Sequence, residues 1–261
     1  DFESTSVTYH EWNLLLIRRI TLKKRVIEIT TQDIFSVKAA IEGGASRIEL
    51  CQALENGGLT PSIALIERTV ELASVTSLKG FVTVLIRPRE GDFVYDKDEV
   101  ETAIYDIRKA VAAGVDNLVI GALKSNGEVD EEAMLRMIEA AGGTSLTFNR
   151  AFDVLNDQFT GLETLVRLGV TRILTSGGAP RTGEGLDRIQ ELVKCAEGRI
   201  EIMSGGGVRI DDIPRLFELG VDAVHLSAKR SITGSLSRPG ERGSYSQVDV
   251  EIVRAAVEAA R

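Results

Sequence analysis

Two cysteines in 261 residues, Cys51 and Cys195, are too few for a disulfide framework and fit a reducing compartment. Histidine is equally scarce, with only His10 and His225. In the first 25 residues the only apolar run is Leu14 to Ile17, and its basic neighbours Arg18, Arg19, Lys23, Lys24 and Arg25 follow it. A secretory signal places its charges first, and a membrane span needs about 20 apolar residues, so neither is expected. Residues 1–25 read as an N-terminal extension, expected to be partly disordered. Positive charge is outnumbered, 31 Lys and Arg against 39 Asp and Glu, for a net charge of −8. That balance disfavours a nucleic-acid backbone or an anionic membrane as the main partner. No zinc motif, nucleotide fingerprint or nucleophile–base pair is present.

What is present is a rhythm running from residue 26 to residue 261. Short β-branched runs at residues 26–30, 47–51, 81–87, 117–121, 145–150, 172–176, 199–204 and 223–227 predict eight strands. Between them, apolar residues recur at helical spacing, as in Ile63, Ile66, Val70 and Ala73, or Ile104, Ile107 and Val111. Asp33, Thr60 with Pro61, Asp130 and Asp211 stand where helices should start. Gly114, Gly169 and Gly220, each followed by Val, stand where helices should close. Strand–helix alternation implies a parallel sheet, and eight such units fit a single-domain α/β fold, the (β/α)₈ or TIM barrel. An open doubly wound sheet is the alternative; the even spacing of the units favours closure.

In such a barrel, ligands are met at the C-terminal ends of the strands. Period-2 alternation puts Glu28 with Thr30, and Glu49 with Cys51, on common faces of the first two strands, with Arg87 one strand further on. Turned inward, the two carboxylates form either a proton donor–acceptor pair or a structural ion network. Arg150 and Asp153 end the fifth strand, as catalytic candidates or as a structural pair. Ser176 and Gly177 end the sixth, and Ser204, Gly205, Gly206 and Gly207 end the seventh. With Arg89, these residues predict a site for phosphate or carboxylate, where backbone N–H groups approach an anion; the alternative is glycines that only permit tight turns. Asp92, Phe93 and Tyr95 are expected in a loop over the mouth. Residues 229–247, rich in Gly, Ser and Arg, lack periodicity and read as a mobile loop or as disorder.

The stretches Arg47-Ile48-Glu49-Leu50-Cys51, Gly57-Gly58-Leu59-Thr60-Pro61-Ser62, Arg87-Pro88-Arg89-Glu90-Gly91-Asp92-Phe93, Asn149-Arg150-Ala151-Phe152-Asp153 and Arg172-Ile173-Leu174-Thr175-Ser176-Gly177 resemble the CutC family, called copper homeostasis proteins. The resemblance implies a cytoplasmic barrel that self-associates as a homodimer or higher homo-oligomer, is linked to copper tolerance and binds copper(I) through cysteines. Two departures bear on the copper. Where relatives often carry cysteine near the end of the first strand, this chain reads Thr30-Thr31, and the family's Phe-His-Arg-Ala-Phe-Asp reads Phe148-Asn149-Arg150-Ala151-Phe152-Asp153. Copper(I) prefers thiolate, thioether or imidazole. Cys51 and His225 are then the metal-ligand candidates, with Met203 on the seventh strand and Cys195 away on the sixth helix.

Two functions are therefore expected in competition. A copper carrier needs Cys51 and little from the arginines. An enzyme acting on a small anionic or phosphorylated metabolite needs Arg87, Arg89 and Arg150 as clamps, and Glu28, Glu49 or Asp153 to move protons.

Overall fold

The structure is a computed structural model describing residues 25–76, 78–234 and 243–261. The expected N-terminal extension lies outside the described residues, apart from Arg25. Eight parallel strands pair in sequence order: β1 (Val26–Thr31), β2 (Arg47–Leu50), β3 (Val82–Leu85), β4 (Asn117–Ile120), β5 (Ser145–Phe148), β6 (Arg172–Thr175), β7 (Glu201–Gly205) and β8 (Ala223–Leu226). The register Val26 with Ala223 and Ile29 with Leu226 closes β1 on β8, which excludes the open sheet. Around the barrel lie α1 (Ile34–Glu42), α2 (Ile63–Val75), α3 (Lys97–Ala112), α4 (Glu131–Ala141), α5 (Gln158–Arg167), α6 (Leu186–Ala196), α7 (Ile213–Glu218) and α8 (Val250–Ala259).

Alternation explains both layers of the core. Ile27, Ile29, Ile48, Leu50, Val82 and Val84 face outward and are buried beneath the helices. Their inward neighbours are mostly polar, so the barrel lumen is an ionic and hydrogen-bonded core capped by small apolar clusters.

The helix starts follow side-chain chemistry. Asp33 accepts from the backbone N–H of Ser36 at 2.7 Å, and Asp130 from that of Ala133 at 3.1 Å. Two expected starts move. The cap of α2 is Ser62, because the hydroxyl of Thr60 is engaged with the Arg87 backbone, accepting from its N–H at 2.9 Å. Asp211 falls within a short 3₁₀ turn, Ile210–Asp212, ahead of α7. The three Gly-Val turns do take the left-handed conformation, with φ of 90°, 78° and 95° at Gly114, Gly169 and Gly220.

The segment expected to lack structure folds in part into an antiparallel hairpin, β9 (Lys229–Thr233) with β10 (Ser244–Val248). Its side chains are largely exposed, so no buried face wrote an alternation into the sequence. The hairpin leans on α1, where the Val248 N–H donates to Ser36 Oγ at 3.3 Å. Among the described residues, no helix is long and apolar enough to cross a membrane.

Candidate active site at the barrel mouth

The alternation that turns Ile27 and Ile29 outward turns Glu28 and Thr30 inward. Register then places Glu28 beside Arg47 on β2 and His225 on β8, and Thr30 beside Glu49. Glu28 is fully buried and accepts from Arg47 Nε and, at 2.7 Å, from His225 Nδ1. The other imidazole nitrogen, Nε2, lies 2.8 Å from Thr30 Oγ1 and 3.7 Å from Glu49 Oε2. A carboxylate, an imidazole and two oxygen groups are thus linked across three strands.

The electrostatics separate the two carboxylates. Burial pushes Glu28 upward, but the charge of Arg47 and the hydrogen bond from His225 outweigh it, holding Glu28 well below the usual carboxylate range. As a carboxylate it fixes the proton on Nδ1 of His225. Glu49 has no guanidinium. Burial, reinforced by the charge of Glu28 and only partly opposed by His225, pushes it up to about 7. Burial works against a charge on His225, yet Glu49 and then Glu28 favour it, and its pKa is raised. Glu49 is therefore a carboxyl group set to hold or release a proton near neutrality, beside an imidazole that favours its charged form.

Above this relay opens a cavity of about 420 Å³, reached by Thr30, Glu49 and His225 from below and by Arg87, Asn149, Arg150, Lys229 and residues 206–208 around the rim. The backbone N–H groups of Gly206, Gly207 and Val208 donate no hydrogen bond to the described residues. Gly206 is required there: its φ is +110°, and a Cβ would lie 2.9 Å from Arg150 Cζ. Consecutive free N–H groups thus stand beside Arg150 and Lys229 in the cavity wall.

The expected site residues divide. Arg150 stays accessible, its side chain 41 % exposed, and is aimed by Asp153 Oδ2 at 2.8 Å and Ser176 Oγ at 2.9 Å. Asp153 is enclosed by donors, because it also receives the Thr175 hydroxyl and the N–H groups of Ser176 and Gly178. It positions. Arg87 is buried, donating to the carbonyls of Asn56, Gly58 and Gly91 and stacking 5.0 Å from the Phe93 ring centroid.

Several expectations for the anion site are corrected. Arg89 is held by Glu99 and Asp92 and lies outside the cavity. The N–H of Gly177 is taken by Thr175 Oγ1 at 2.9 Å. Ser204 lies on the face of β7 opposite to Met203 and Gly205, and Gly205 packs against His225. The N–H groups left free along the cavity are therefore those of residues 206–208 rather than of 204–207.

Of the metal-ligand candidates, Cys51 is buried among Leu85, Val119 and Leu54. Burial, with Glu49 and Glu55 adding to it, pushes its thiol far above the ordinary range, so it stays protonated. Both nitrogens of His225 are engaged by oxygen partners. Met203 lies in the lower lumen, where its sulfur accepts from Arg47 at 3.3 Å, and Cys195 sits on α6 beside Glu163. Among the described residues, no group of three or more His, Cys, Asp or Glu side chains is placed to hold a metal.

Sequence reasoning missed Thr30 and Asn149 as site residues. Thr30 carried the right signal, two positions after Glu28, but its partner His225 reaches it only through closure of β8 on β1. Asn149 stood out only as a departure from a family pattern.

Fold and site together define a closed (β/α)₈ barrel with a polar mouth at the C-terminal ends of its strands. The chain belongs to the CutC family, whose model matches residues 25–230. A family protein CutC of Glaesserella parasuis is 40% identical over 228 residues, covering 86% of this chain and 91% of the relative. Another, from Parabacteroides distasonis, is 42% identical over 219 residues, covering 84% and 88%. The crystal structure of a Streptococcus agalactiae CutC, described as a copper homeostasis protein, matches with a TM-score of 0.73 and 36% identity, covering 77% of this chain and 97% of that one.

Proposed function

We propose that this CutC-family barrel binds a small anionic metabolite, bearing phosphate or carboxylate, and that Glu49 with His225 is its reactive centre. The observation that carries this reading is the shared cavity. One wall offers three free backbone N–H groups with Arg150 and Lys229, and the floor holds a carboxylate–imidazole pair able to exchange a proton near neutral pH. Preorganised donors and a proton carrier facing one cavity are the parts of an acid–base catalyst.

The copper reading comes from the names of relatives. For this chain it depends on Cys51, whose protonated thiol packs against apolar side chains, and on His225, whose nitrogens are already bonded. These residues do not make a soft copper(I) site. A thermal-shift comparison of wild type and Cys51→Ser separates the two functions. Phosphate is expected to raise the melting temperature of both proteins, by RT ln(1 + [L]/Kd) in free energy. Stabilisation by copper(I) that vanishes in Cys51→Ser, with none by phosphate, would reverse the assignment.

A further inference from the structure

Two donors in the cavity wall have no acceptor. Asn149, 5 % exposed at the end of β5, accepts from the Ala151 N–H through Oδ1 at 2.9 Å, which fixes Nδ2 as its donor end. That Nδ2 is buried without a partner. Arg87, also 5 % exposed, satisfies its two terminal nitrogens on carbonyls and leaves Nε unpartnered. A buried donor without an acceptor is costly to keep, so it points to a group supplied from outside. Both residues line the cavity that Glu49 and His225 also reach.

The fold makes room for the amide. Gly121, the residue after β4, lies so close that a Cβ there would come within 2.2 Å of Asn149 Oδ1. A similar approach occurs at Gly57, whose Cβ would lie 2.9 Å from the Arg87 guanidinium. Gly121 thus admits an amide whose donor end the protein itself does not use, whereas the nitrogen beside Gly57 is Nη1, already donating to Asn56 and Gly58.

From these orphaned donors we infer that the ligand of this site is a small phosphorylated aldehyde or ketone, and that the reaction is enolisation beside its carbonyl. The inference rests on the anion-binding reading above and adds the other end of the ligand. The phosphate sits on residues 206–208 with Arg150, and the carbonyl oxygen accepts from Asn149 Nδ2. Glu49 as carboxylate takes a proton from the carbon next to the carbonyl. The C–H bond breaks, its electron pair becomes the C=C bond, and the carbonyl electrons move onto the oxygen held by Asn149. Return of a proton to the same carbon regenerates the carbonyl and completes an exchange. In a ligand with a hydroxyl on that carbon, passage of the hydroxyl proton to the oxygen held by Asn149 and return of a proton to the former carbonyl carbon completes an isomerisation, with no oxidant or reductant consumed. His225, protonated and backed by Glu28, stabilises the intermediate charge.

The test is solvent exchange. Dihydroxyacetone phosphate, glyceraldehyde 3-phosphate, ribose 5-phosphate and fructose 6-phosphate are incubated with the whole protein in deuterium oxide, and C–H loss is followed by NMR. At least one is expected to exchange above the protein-free rate, with inorganic phosphate as an inhibitor. Asn149→Asp keeps the acceptor for Ala151 but removes the donor, and should slow exchange about 100-fold, the usual effect of losing one such donor. Glu49→Gln should abolish exchange while the amides of residues 206–208 still respond to phosphate. Absence of exchange with all four probes, while phosphate still shifts those amides, overturns the enolisation and leaves the anion site standing. Exchange unaffected by Asn149→Asp also overturns it. Failure of phosphate to shift the amides removes the anion site and the inference with it.

Discussion

Glu28 and Glu49 are neighbours across one strand pair, yet their surroundings give them opposite roles. Glu28 faces Arg47 and is held charged; Glu49 faces no guanidinium and is held near neutrality in pKa. Glu28 is lowered in the folded state, so its stabilisation is present above its unfolded value and is lost only as pH falls through that range. Glu49 is raised, so its contribution is full below its unfolded pKa of about 4.3 and is lost as pH rises through about 7. Glu49→Gln should therefore gain melting temperature relative to wild type on going from pH 5 to pH 8, by a few degrees. Glu28→Gln should destabilise at both pH values by about 3–5 kcal/mol, because it strands Arg47 in the lumen. Melting curves of both variants at the two pH values check this; a parallel response would refute the division of roles. That Glu28 shares a strand face with Thr30, and Glu49 with Cys51, was legible from period-2 alternation, with the inward turn of those faces left as a condition. Their different charge states were not, because they depend on Arg47 and His225 from neighbouring strands.

At the scale of elements, the site is built where strands run out. The expected strands extended to Arg87, Arg150 and Ser204, but the ladders stop at Leu85 and Phe148, and β7 runs to Gly205. The residues beyond those ends turn out of the ladder and form the rim. The glycines after β7 were legible as the loop that leaves the strand, with the strand end placed one residue too early, since strand termination depends on pairing with β8 rather than on local residues. The hairpin β9–β10 was not legible at all, being solvated along most of its length. Gly206→Ala should weaken phosphate binding at least about 10-fold, because the left-handed backbone and the contact with Arg150 both resist a side chain. Gly169→Ala is the control: φ is +78° with nothing within 4 Å of a new Cβ. It should lose about 1 kcal/mol of stability and leave phosphate affinity unchanged by calorimetric titration. Equal affinities in the two variants would show that the turn after β7 does not hold the anion.

The whole molecule supplies what no segment can. Closure brings His225, near the end of the chain, onto Glu28, at its beginning, across 197 residues. Eight strand–helix units predicted a closed barrel, and closure in turn predicts that first and last strands share a site. The sequence could not show that the lumen is ionic at its base and open at its top, because each inward residue is read against two neighbouring strands at once. The central claim is that the mouth is an anion site poised over an acid–base pair. Its most direct measurement is an amide NMR titration with inorganic phosphate on wild type and Arg150→Ala. Saturable shifts at Gly206, Gly207 and Val208, weakened at least about 10-fold in the variant, are the predicted result. Silent amides at those three positions, or identical titrations in the two proteins, would contradict it.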